Sequence, residues 1–239
     1  MCRILTVLTV LIQIRWLGLC ELSSDLWKVR IIEMNELLLI AYEWLTVILP
    51  FIITFVVLNA IYKHKRSPQT KKRFIMLAIF SVYIFAVFYF TGAGTIFNLQ
   101  SYGIRLGSDQ INYLPFSRDI DVVGYLLNVI LFVPFGILVP FIWPNGSKYT
   151  VLSGLSFSFL IEISQLFNIR QTDIDDLILN TFGTLIGYLL FRTFSNRIKI
   201  TKSPVNCFKY ESVVYILTMF FGHFFMFNEL GMAKILFGF

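Results

Sequence analysis

The amino-acid sequence predicts an all-α fold: a polytopic membrane helix bundle with about five to six transmembrane helices. Three observations carry that expectation. Mean hydropathy is +0.75, with 57% hydrophobic and 14% charged residues. The apolar residues gather in runs of about 18 or more, enough for a helix rising about 1.5 Å per residue to cross a hydrocarbon core of about 30 Å. The connections are short, so no separate soluble domain fits between the runs. In lipid a helix satisfies its own backbone groups, which is why runs of this length are read as helical.

Residues 1–33 are an uncertain leader. Residues 4–14 form an apolar run of 11 between Arg3 and Arg15, the length of a signal-peptide h-region or of an extra, weak span. Leu17-Gly18-Leu19-Cys20 is similar to a lipoprotein cleavage box, except that Leu19 stands where a small residue is expected. Met34 heads an ordinary first span, so an over-extended start is a third reading. Residues 34–73 hold the first span, at 37–62, and a basic loop. Residues 74–194 form a core of four spans, at 74–97, 122–143, 150–167 and 177–194. Residues 195–239 are a basic linker and a last span at 212–239, interrupted by His223, Glu229 and Lys234. Cys2, Cys20 and Cys207 match no metal or disulfide spacing.

The net charge of +6 is unevenly placed. Residues 63–73 carry six Lys/Arg and residues 192–209 carry five, neither with an acid, and Lys148 adds one more. These segments follow the first, fifth and third spans and so lie on one side, which the positive-inside rule makes cytoplasmic. They abut spans directly, so orientation and lipid contact are expected of them rather than nucleic-acid binding. Residues 98–121 and 168–176 are acidic and are expected outside.

The stretch EISQLFNIRQTDIDDLILNTFG, residues 162–183, concentrates charge in a chain that otherwise avoids it. Asp173, Asp176, Asn180, Gly183 and Gly187 are spaced 3, 4, 3 and 4, which aligns them on one helix face. Small residues on such a face let a neighbouring helix approach. Asp175 points off that face. Glu162 and Gln165 share a face of the preceding span, and a carboxylate at that depth needs protein, water or a counter-charge around it. Asn128 lies near the outer end of the third span, where Pro134 and Gly136 interrupt the helix and can open a cavity on one side. Asn128, Glu162, Gln165, Arg170, Asp173, Asp176 and Asn180 are expected to form one ligand-binding site facing outside, with Arg170, a metal or a cationic ligand group offsetting the crowded carboxylates. Plainer roles stand beside this: Asp173 and Asp176 as a helix N-cap, Gln165 and Asn180 as interhelical glue, Pro134 as a neutral kink, Glu43 as an interfacial residue and His223 as a packed histidine.

The order Asn-x5-Pro-Phe-Gly from Asn128, Glu-x-x-Gln from Glu162, Arg170, and Asp-x-x-Asp-Leu-Ile-x-Asn-Thr-x-Gly from Asp173 resembles the VanZ-like family. So do Asn112–Phe116 and Gly124-Tyr125-Leu126-Leu127 upstream, and the likeness spans roughly residues 75–194. The resemblance implies a bacterial, multi-pass cell-membrane protein linked to resistance to glycopeptide antibiotics, notably teicoplanin. It transfers no catalytic assignment, and neither an enzymatic activity nor a cofactor follows from it.

Four functions compete. The first is binding of an envelope component at the outer face: a lipid-linked cell-wall precursor, a lipoteichoic acid or the lipophilic antibiotic itself, among membrane lipids. An arginine beside carboxylates and amides suits a sugar or phosphate head group. The second is an enzyme on such a lipid, with Glu162, Asp173 and Asp176 as acid, base or ligands of a divalent metal. No Ser/His/Asp arrangement, no HExxH and no phosphate-cradling glycine loop supports it. The third is a transporter, for which no inverted repeat is visible. The fourth is a scaffold whose polar face binds partner helices.

Overall fold

A computed structural model describes residues 24–64, 71–103, 111–117, 121–144, 146–168, 172–198 and 210–238. Within them the chain is nearly all helix: α1 (Ser24–His64), α2 (Lys71–Thr91), α3 (Ile96–Tyr102), α4 (Val122–Ile142), α5 (Ser147–Gln165), α6 (Ile174–Ile198), α7 (Glu211–Met226) and α8 (Glu229–Phe237). A two-residue parallel bridge joins β1 (Ile111–Asn112) to β2 (Thr172–Asp173). Among the described residues, four stretches are long and apolar enough to cross a membrane: Glu33–His64, Lys71–Ser101, Val122–Ile142 and Ile174–Ser195. A fifth is α7 with α8, if that pair, bent by 47°, counts as one span. The predicted span at 150–167 is the helix α5, but its serines together with Lys148, Glu162 and Gln165 keep it below that apolarity. Instead α5 packs a polar face inward, with Ser153, Ser158, Glu162, Ser164 and Gln165 all buried.

Phenylalanines fill the centre. Phe88 of α2, Phe132 and Phe135 of α4 and Phe157 of α5 are fully buried, and the Phe135 and Phe157 rings stack at 5.6 Å. The closest helix pair is α4 with α6, and glycine is the reason. A Cβ added at Gly187 would lie 2.1 Å from the Val133 carbonyl oxygen, and one at Gly136 would lie 2.1 Å from that of Thr184. Backbones can approach this closely only where side chains are missing. The expected cavity beside Pro134 is therefore not formed on this side. The helix runs unbroken through the proline, and the α6 backbone occupies the space that Gly136 leaves.

α1 starts at Ser24 and continues through Met34 without a break. Residues 1–23 of the leader lie outside the described residues. Glu43, expected at the interface, is 2% exposed, because the neighbouring turn of α1 packs on α7, where Gly222 meets the Thr46 carbonyl and Pro50. The last span breaks at Phe227–Asn228. Asn228 then caps α8, its side-chain oxygen accepting from the Gly231 N–H at 2.8 Å. α8 continues along α1 after the bend, and Asn35 donates to the Leu236 carbonyl at 2.9 Å.

Polar contacts collect at the two ends of the bundle. The basic end holds Arg73, Lys148 and Glu211. The acidic end holds the turn between α5 and α6, the segment 111–117 and the Thr91–Thr95 turn.

Candidate functional site at the acidic end

The turn from α5 into α6 brings four carboxylates together, and each has a definite partner. Asp173 caps α6: its Oδ1 accepts from the Asp175 N–H at 3.0 Å, satisfying a first-turn donor that the helix itself cannot. The same oxygen accepts from Asn112 Nδ2 at 3.0 Å, which fastens the 111–117 segment to the cap. Asp175, expected to point away from the cluster, is 1% exposed and closely held. It accepts from the Phe116 N–H and from the Tyr125 hydroxyl, both at 2.8 Å. One helical position on, Asp176 accepts from Asn128 Nδ2 at 2.5 Å, tying α6 to α4. Glu162 is 5% exposed, and its Oε2 accepts from the Asp173 N–H at 3.1 Å, so it braces the entry to α6.

These six donors, together with the positive end of the α6 dipole, offset the crowded negative charge. Arg170, a metal or a cationic ligand was expected for that task, and neutral amides, a phenol and backbone N–H groups contribute to it as well. Arg170 itself lies outside the described residues. Among the described residues, no three His, Cys, Asp or Glu side chains converge to hold a metal ion.

The remaining candidates separate. Asn180 is buried between α5 and α6 and donates to Ser158 Oγ at 2.9 Å. Gln165 looks toward α2 and donates to the Thr91 carbonyl at 3.0 Å. Both bonds are interhelical glue. Although Glu162 and Gln165 stand three residues apart, they serve different neighbours. Around Gln165 the Thr91–Thr95 turn wraps the end of α5: the Gly94 N–H donates to Ser164 Oγ at 3.0 Å and Asn168 Nδ2 to the Gly92 carbonyl at 2.9 Å. His223 of α7 reaches this turn from behind, its Nε2 3.3 Å from the Ala93 carbonyl and its ring stacked on Phe88 at 4.8 Å. It is a packed histidine, as its apolar surroundings in the sequence suggest.

Asp175, Tyr125 and Ser158 were not among the expected site residues. Helical spacing gives no hint of Asp175, because its partners come from α4 and from a turn outside the helices. Phe116 in that turn has φ 54°, an uncommon conformation for a non-glycine residue, and its amide is the group Asp175 holds. Tyr113, Leu114 and Phe116 are exposed beside it, at 72%, 69% and 53%. The acidic cluster is thus rimmed by an apolar lip.

The VanZ/LLP1 family model matches residues 43–195, which is more than half of the chain and includes every residue of this cluster. The curated protein named Protein VanZ, from Enterococcus faecium, is 34% identical over 85 residues, covering 34% of this chain and 52% of that protein. The chain thus spans about half the length of the curated relative it matches. No solved structure matches it.

Proposed function

The chain belongs to the VanZ/LLP1 family, and from that premise we propose that it contributes to tolerance of a teicoplanin-type glycopeptide in a bacterial cell membrane. In this reading its acidic end faces outside and binds a lipid-linked envelope component or the lipophilic drug. One observation carries the reading: Glu162, Asp173, Asp175 and Asp176 gather round a single turn in a chain that is otherwise 57% hydrophobic. Carboxylates and amides at this turn offer acceptors to the hydroxyl and amide N–H groups of a sugar or peptide head. Arg170 belongs to the same turn by sequence and would take a phosphate. The exposed lip of Tyr113, Leu114 and Phe116 suits the lipid part of the same ligand.

The test is the inhibitory concentration of teicoplanin for cells carrying Glu162→Gln or Asp176→Asn, at membrane abundance equal to wild type. Each substitution keeps the shape and removes the charge. Tolerance is expected to fall by several-fold in both, while Leu189→Ala, on an exposed face of α6, leaves it unchanged. Full tolerance in both charge-neutral variants would refute a binding role for this cluster.

A further inference from the structure

We propose a second lipid site at the opposite, basic end of the bundle: a cleft between α5 and α7 that seats one chain of an anionic phospholipid. The cleft has a volume of about 240 Å³. Leu152 and Leu160 of α5 and Val213 and Leu217 of α7 line it, with Tyr149 and Tyr210 at its basic end. From Tyr149 to Leu160 it follows α5 for about 16 Å, at about 1.5 Å per residue. That is close to half of a hydrocarbon core of about 30 Å, the depth of one leaflet. A crevice so apolar offers water too few partners and suits a hydrocarbon chain. Leu152, on its wall, is 62% exposed, as a side chain in contact with lipid would be.

The mouth selects the charge of the head group. α5 begins there behind Gly146, which lends no side-chain cap, so the positive end of a 19-residue helix points to the mouth. Lys148 is exposed in the same first turn. The Tyr149 hydroxyl pairs with Ser212 Oγ at 2.6 Å and joins the two helices beside the opening. A phosphate at the start of α5 would meet backbone N–H groups and the Lys148 ammonium, while its acyl chain enters the cleft. This site is independent of the acidic end and rests on none of the residues proposed there.

The experiment reads lipid retention by native mass spectrometry of the full chain, purified in detergent and supplied with phosphatidylglycerol or phosphatidylcholine of identical chains. Wild type is expected to retain one phosphatidylglycerol and to prefer it over phosphatidylcholine. Ser156→Phe, which fills the cleft from an exposed position on its wall, should lower retention about tenfold. Lys148→Glu should abolish the preference while the chain still binds. Glu162→Gln should retain phosphatidylglycerol as wild type does, which separates this site from the acidic end. Equal retention of both lipids by wild type, no retention at all, or undiminished retention by Ser156→Phe would each overturn the proposal.

Discussion

Asp175 shows how far a single residue can depart from its helical-wheel position. Its neighbours at 173 and 176 fall on the face that meets α4 and α5, and Asp175 falls beside it. Yet the carboxylate is the most buried of the four, because Phe116 and Tyr125 close over it. Removing it strands two donors and frees a turn that carries Phe116 in a left-handed conformation, itself a cost of about 1–3 kcal/mol. Asp175→Ala is therefore expected to destabilise the protein by about 2–4 kcal/mol, given about 1.5–3 kcal/mol for a hydrogen bond to a charged group. Thermal unfolding in detergent measures the loss. Hydrogen exchange locates it, with faster exchange expected in residues 111–117 and little change at the α4–α6 seam. A variant as stable as wild type would mean that the segment is held by other contacts.

At the scale of elements, apolar length made the helices legible, and the positions of Gly183 and Gly187 correctly announced a close helix contact. The residues that form each helix are adjacent in sequence, so their periodicity records which face is buried. The pairing of faces is not recorded in that way. Nothing in the run around Pro134 tells that α6 backbone fills the space beside Gly136, and nothing local to Gln165 tells that its partner is Thr91 on α2. The same limit hid the role of Arg73, which reads as one more cation of a basic loop. It is 4% exposed and lies 2.7 Å from Glu211, with Tyr62 donating to the same carboxylate oxygen at 2.9 Å. This buried pair joins α2, inside the family match, to α7, which lies beyond residue 195. Losing one partner leaves the other charge buried, at a cost of about 3–5 kcal/mol, whereas replacing both by apolar residues is often neutral. Arg73→Met alone should thus lower the unfolding temperature sharply, and Arg73→Met with Glu211→Leu should recover most of the loss. If the double variant is no more stable than the single one, the pair is not what anchors α7.

The whole molecule is polarised along its helices, and this polarity predicts an orientation in a bilayer. Arg73 is paired with Glu211, and residues 63–73 hold five other Lys/Arg in sequence. Lys148 is exposed on the same side, where α6 ends, and residues 192–209 carry five more Lys/Arg in sequence. At the other end, Asp173, Asp175, Asp176 and Glu162 each accept from at least one neutral donor. The carboxylates weigh little in the orientation rule, and the cations close to span ends dominate it. Transferring the basic end across the membrane would carry many charges at once, so the basic end should stay cytoplasmic and the acidic cluster should face out. Cysteine labelling in intact cells checks this, in a background with Cys2, Cys20 and Cys207 replaced. An impermeant thiol reagent is expected to label Tyr113→Cys, which sits on the exposed lip of the acidic end. Lys148→Cys should react only after permeabilisation. The reverse pattern would place the carboxylate turn in the cytoplasm, out of reach of any ligand that arrives from outside, and the function proposed for it would fall with the orientation.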